Sequence, residues 1–241
     1  MTAPGRTGLV GGTFDPFHLG HLAVAHAARL ALALDEVRII PAKVPPHRPV
    51  QPQTSAPHRF AMAALGVANE RGLVVDDIEL AANGPSFTAS TLARFHARGY
   101  TASQLFFIIG ADAFAEIATW RDYPHVLDLA QFAVVSRPGR SVTTLRSALP
   151  ALAGRMRDVG EADGRVPVEK GQPAILLIDA QTPNVSATRV RELAAARQPL
   201  NGLVPPLVED HIVRHRLYEI APSPAAGPFK AASPLHEQEP V

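Results

Sequence analysis

Short runs of β-branched and aromatic residues alternate along this chain with longer segments rich in Ala, Leu and Arg. The short apolar runs predict strands at 8–10, 37–41, 73–75, 105–109, 132–135 and 175–178, because continuous apolar stretches bounded by turn residues suit strands covered on both faces. Helices are expected over 20–34, 57–70, 88–98, 112–117, 143–152 and 186–195, with a last one over 206–219. Alternation of this kind builds βαβ units around a parallel sheet. Segment 154–171 is polar and glycine-bearing and reads as a surface excursion. From Pro222 onward, Pro-Ser-Pro-Ala-Ala-Gly-Pro has no periodic apolar positions and reads as a disordered tail. One α/β domain over 1–221 and a tail over 222–241 account for the chain.

Composition narrows this picture. With 46% hydrophobic and 19% charged residues in 241, the chain can bury a substantial core. A net charge of +1 provides no bulk electrostatic drive toward nucleic acid or a membrane surface. The chain has no cysteine, which excludes a disulfide framework, a thiolate metal site and a thiol nucleophile. No apolar signal segment opens the chain and no stretch reaches membrane-span length, so a cytoplasmic enzyme is expected. Whether it forms a homo-oligomer is open.

Residues 11–21 read Gly-Gly-Thr-Phe-Asp-Pro-Phe-His-Leu-Gly-His, directly after the first expected strand. Gly11 and Gly12 allow a sharp turn and close backbone approach to a ligand. His18 and His21 project from the start of the helix that follows, where unpaired N–H groups and the positive dipole end favour an anion. Strand, glycine turn, two histidines and helix together make a phosphate site. Capping groups or part of a metal site are the alternatives for the histidine pair. The string is neither a P-loop nor the three-glycine dinucleotide fingerprint.

Other chemistry-bearing residues also fall just after expected strands, where an open parallel sheet binds its ligands. Lys43, His47 and Arg48 lie in a proline-stiffened loop suited to reaching a substrate phosphate, or to ordinary surface. Gly110 permits close approach; Asp112 suits ribose hydroxyls or a helix N-cap. Trp120, the single tryptophan, suits either the core or a stacking surface for a flat heterocycle. Ser186, Thr188 and Arg191 bring hydroxyls and a guanidinium to a helix start, a second anion site or simply a capped basic helix. A Gly-X-Ser-X-Gly elbow is absent, so a covalent enzyme intermediate is not indicated.

The string Gly-Gly-Thr-Phe-Asp-Pro-Phe-His-Leu-Gly-His-Leu resembles the His-X-Gly-His element of the nucleotidylyltransferase superfamily. In its fuller form it is similar to the bacterial nicotinate-nucleotide adenylyltransferase family. Ser186-Ala187-Thr188-Arg189-Val190-Arg191 resembles the superfamily's second signature, and Gly110-Ala111-Asp112 with Thr119-Trp120 resembles a further family block. The resemblance implies a Rossmann-like, doubly wound parallel sheet and adenylyl transfer from ATP, with Mg²⁺, to nicotinate mononucleotide. It implies an ATP site of Gly11, Gly12, Thr13, Phe14, His18, His21, Gly110, Asp112, Ser186, Thr188 and Arg191. The mononucleotide would meet Lys43, His47, Arg48, Thr88, Trp120 and Arg137, with His18, His21, Lys43 and Arg191 as catalytic groups. The chain departs from the family pattern at Phe87, Ser90 and Arg121. Nicotinamide mononucleotide as acceptor, a sister transferase using phosphopantetheine or CTP, a silent nucleotide binder and a metal hydrolase built on His18, His21 and His26 are the alternatives.

Overall fold

The computed structural model describes residues 5–45, 52–160 and 171–219. Seven strands form one wholly parallel sheet: β1 (Thr7–Gly12), β2 (Glu36–Pro41), β3 (Leu73–Val75), β4 (Leu105–Gly110), β5 (Gln131–Val135), β6 (Met156–Val159) and β7 (Ile175–Ile178). Their order is β3-β2-β1-β4-β5-β7-β6. The chain winds outward from β1 through β2 and β3, then crosses to β4 on the other side, with Thr7 opposite Leu105 and Leu9 opposite Phe107. Strand order therefore reverses between β1 and β4, where a crevice opens beyond their carboxyl ends.

Side-chain alternation explains why the sheet is buried twice. Val10, Phe106, Ile108, Ala133, Val135, Leu176 and Ile178 point into one core. Leu9, Phe107, Ile109, Phe132, Val134, Ile175 and Leu177 point into the other. The first core is closed by α1 (Leu19–Ala31), α2 (Ala56–Val67), α6 (Ala187–Ala195) and α7 (Pro206–Arg214). The second is closed by α3 (Thr88–Ala97), the short α4 (Ala111–Phe114) and α5 (Leu145–Ala148). Among the described residues, no helix is long and apolar enough to cross a membrane.

Three sequence expectations change. The segment read as a surface excursion contains β6, an edge strand paired only with β7. Its Met-Arg-Asp-Val sequence buries only Met156 fully and leaves Arg157 and Asp158 exposed, so no apolar run marks it. The helix expected over 143–152 is broken into α5 between two 3₁₀ turns, Val142–Thr144 and Pro150–Arg155; Pro150 cannot continue the donor ladder. The helix expected over 112–117 stops at Phe114 and resumes as a 3₁₀ turn, Ile117–Thr119. The expected tail from residue 222, with His47 and Arg48, lies outside the described residues.

Candidate active site

A cavity of about 600 Å³ lies beyond the carboxyl ends of β1 and β4. The β1–α1 turn supplies Gly11, Gly12, Thr13, Phe14, His18 and His21. Phe14 has φ 51, a left-handed backbone that costs a residue with a Cβ roughly 1–2 kcal/mol. Packing holds it there: its ring, 2% exposed, lies 5.5 Å from that of Phe17 and edge-on to His21 at 5.0 Å.

The two histidines are stacked, ring centroids 3.6 Å apart and 19° from parallel. His18 caps α1, and its backbone N–H donates to Nδ1 of His21 at 3.2 Å. Because that nitrogen accepts, the proton of a neutral His21 sits on Nε2. Burial, with the Arg137 guanidinium second, lowers the His18 pKa to about 4, so its imidazole is neutral at neutral pH. Gly20 makes this packing possible. A Cβ there would stand 3.0 Å from Cε1 of His18 and 3.4 Å from the Val185 carbonyl oxygen.

That contact brings the second motif to the first. Ser186 caps α6, its hydroxyl accepting the Arg189 N–H at 3.2 Å, and with Thr188 it lines the same cavity. Arg191 is not a lining residue. Its guanidinium donates to the Asp15 carbonyl at 2.7 Å and to the Thr188 hydroxyl at 3.2 Å, tying α6 to the phosphate turn. The Asp15 carboxylate takes the Gln53 N–H at 2.8 Å and the hydroxyls of Thr54 and Tyr218 at 2.6 and 2.8 Å. Burial, then the Asp15 charge, pushes the Tyr218 pKa far above its ordinary value, so it remains a donor.

Gly110, Asp112, Trp120, Arg137 and Thr88 all reach the cavity. Asp112 faces Arg137 at 3.5 Å, and a Cβ on Gly110 would meet Cδ of Arg137 at 2.6 Å. Arg137, expected beside the mononucleotide, thus stands with Asp112 of the expected ATP set. Trp120 is a wall of the cavity, edge-on to Phe107 at 6.0 Å. Two departures from the family pattern meet: the Arg121 guanidinium lies 4.6 Å over the Phe87 ring. Lys43 is exposed and outside the lining, its ammonium donating to the Ala82 carbonyl at 2.8 Å. A second cavity of about 850 Å³ adjoins the first through Asp112, Glu116 and Arg137, lined further by Ser136, Arg140 and Thr182.

The sequence reading missed Arg59 and Glu79. Arg59, 1% exposed on α2, donates to the carbonyls of Thr13, Ala42 and Lys43, clamping the ends of β1 and β2 together. Its signal was a cation on the buried face it shares with Met62, Ala63 and Gly66. Glu79 lines the cavity beyond β1 and β4, and no motif marked it. His26 hydrogen-bonds Glu70 at 2.9 Å and does not line the cavity. Among the described residues, no group of three His, Cys, Asp or Glu is placed to hold a metal ion.

The family model described as cytidylyltransferase-like matches residues 9–193. A protein of Citrifermentans bemidjiense named "Probable nicotinate-nucleotide adenylyltransferase" is 38% identical over 214 residues, 88% of this chain and 98% of its own. A protein of the same name from Moorella thermoacetica is 37% identical, covering 90% of this chain and 94% of its own. The solved structure of a Plasmodium falciparum nicotinic acid mononucleotide adenylyltransferase complexed with NaAD shares the fold, with a TM-score of 0.64 at 16% identity over 89% of this chain and 97% of that one. Both kinds of sequence match span most of the molecule, and the chain belongs to the nicotinate-nucleotide adenylyltransferase family within the cytidylyltransferase-like proteins.

Proposed function

We propose that this chain transfers the adenylyl group of ATP to nicotinate mononucleotide, forming deamido-NAD and pyrophosphate. The observation that carries the reading is the convergence of the His18–His21 turn and the Ser186–Thr188 helix start on one cavity. Helix starts that bring imidazoles and hydroxyls together suit a polyphosphate, since their N–H and O–H groups donate to phosphate oxygens. The naming of the relatives as nicotinate-nucleotide adenylyltransferases supports the choice of acceptor.

In this reading the ATP phosphates lie between the two helix starts. The ribose lies beside Asp112, and the adenine occupies the adjoining cavity beyond Arg137. The mononucleotide lies toward Thr88 and Trp120, its pyridine ring against the indole. Its phosphate has a second pKa near 6, as phosphorylated side chains do, so it is a dianion at neutral pH and needs no general base. A phosphate oxygen of the mononucleotide forms a bond to the α-phosphorus of ATP. The bond from that phosphorus to the oxygen bridging to the β-phosphate breaks, and pyrophosphate departs with the electron pair. The protein's work is positioning, with hydrogen-bond donors aimed at the charge that develops. His18 donates as a neutral ring and His21 through Nε2, while Arg191 acts by fixing the phosphate turn. Lys43 would reach the phosphates by releasing the Ala82 carbonyl. Mg²⁺ brought in with the triphosphate would supply positive charge to offset the negative charge developing on the leaving pyrophosphate.

The test is pyrophosphate release with ATP and Mg²⁺, run in parallel with nicotinate mononucleotide and nicotinamide mononucleotide. The acid is expected to be the better acceptor, and His21→Ala to lower kcat by about 10²–10³, the range for removing one transition-state donor. Turnover with neither acceptor, or full activity of His21→Ala, would overturn the reading.

A further inference from the structure

One buried ionisable side chain of the cavity wall has no part in the phosphate chemistry. Glu79 follows β3, is 6% exposed, and accepts the Thr91 hydroxyl on α3 at 2.6 Å. The Ser86 hydroxyl is near enough to the same carboxyl group to favour its charged form against burial, which disfavours it. Ser86 Oγ already accepts the Lys43 N–H at 2.9 Å, so its own hydrogen is directed onward, and the Ser86 N–H donates to the Val44 carbonyl at 3.0 Å. A single carboxyl group thus joins the turn after β2, the Ser86–Thr88 wall and the first turns of α3. The Glu79 carboxyl is the closer of the two acceptors of the Thr91 hydroxyl, at 2.6 Å against 3.3 Å for the Phe87 carbonyl.

We propose that Glu79 is a positioning residue for the pyridine nucleotide, fixing Ser86 and Thr88 opposite Trp120 and so setting the width of the slot for the ring. The inference rests on the mononucleotide reading above. It places Glu79 apart from the ATP phosphates, so its loss should act on one substrate. Steady-state kinetics with both substrates, and calorimetric binding of nicotinate mononucleotide, decide it. Glu79→Ala should raise the KM and Kd for the mononucleotide at least tenfold, leaving kcat and the KM for ATP within twofold. Glu79→Gln, whose amide oxygen accepts the same hydroxyls, should stay within about threefold of the parent. Equal rises in both KM values, a fall in kcat with KM unchanged, or an unchanged mononucleotide KM would overturn the proposal. If Glu79→Ala fails to fold, Thr91→Val and Ser86→Ala decide, each expected to raise the mononucleotide KM selectively; no change in either overturns it. A parent protein that neither binds nor uses the mononucleotide defeats the functional reading and this inference together. Normal parent activity with an unaffected Glu79→Ala defeats this inference alone.

Discussion

His18 shows how one side chain links stability to the site's chemistry. Its pKa falls from 6.5 to about 4 because burial and the Arg137 guanidinium disfavour a second positive charge. Between those values the unfolded chain binds a proton that the folded chain refuses, so stability rises with pH across that window. It is complete above about pH 6.5 and diminishes as pH falls toward 4, by about 3 kcal/mol in total. Burial and the neighbouring His215, His58 and Arg214 lower His211 too, adding to the slope in the same direction. The His18 share is therefore read as a difference. Denaturant unfolding of the parent and of His18→Gln at pH 4.5 and 7 should give the variant the smaller pH dependence. Equal slopes would mean that His18 is accessible to protonation in the folded state.

Helix α1 illustrates why a motif's spacer residue can matter as much as its named groups. Gly20 stands between the two histidines at the point where the His18 ring and the Val185 carbonyl close on the helix. A methyl group there must displace one of them, since 3.0 Å is well inside ordinary carbon contact. The helix itself favours alanine over glycine by roughly 0.8–1 kcal/mol, offsetting part of the strain. Gly20→Ala is therefore expected to change stability by less than about 2 kcal/mol while lowering kcat by at least tenfold, the equivalent of about 1.4 kcal/mol in the transition state. Thermal melts beside steady-state rates check this, and a variant with parental kcat would show that the His18 ring tolerates the shift. Asp15 and Arg59 act in the same manner on the flanking loops, one collecting three hydrogen bonds and the other donating to three carbonyls.

Across the molecule, the cavity gathers the β1–α1 turn, the opening of α3, the end of β4 and the start of α6. Ligands that bind only this assembled arrangement must stabilise the fold by mass action. ATP with Mg²⁺ at a hundredfold excess over its Kd should add about 2.7 kcal/mol, a rise in Tm of roughly 5–10 °C for a chain of this size. Scanning calorimetry against ligand concentration measures it. A Tm that does not move would mean that ATP has no preference for the folded chain, and so does not bind the assembled cavity.

The pattern along the chain was sufficient for six of the seven strands and for the turn between β1 and α1, because both depend on local properties: apolar runs bounded by turn residues, and glycines and histidines at fixed spacing. The edge strand β6 was hidden because its single pairing, with β7, is a long-range contact that needs no apolar run on the exposed side. Arg191 and Lys43 read as groups suited to a phosphate, and in the structure their hydrogen bonds run to Asp15, Thr188 and Ala82. Thr188 is a neighbour three residues back on the same helix, but Asp15 and Ala82 are remote in the chain, so no spacing could reveal them. Glu79 and Arg59 carry the same lesson: each is buried among groups drawn from separate loops. Local sequence determines which chemistry is present, but tertiary packing determines which side chains face the cavity and which hold the others in place.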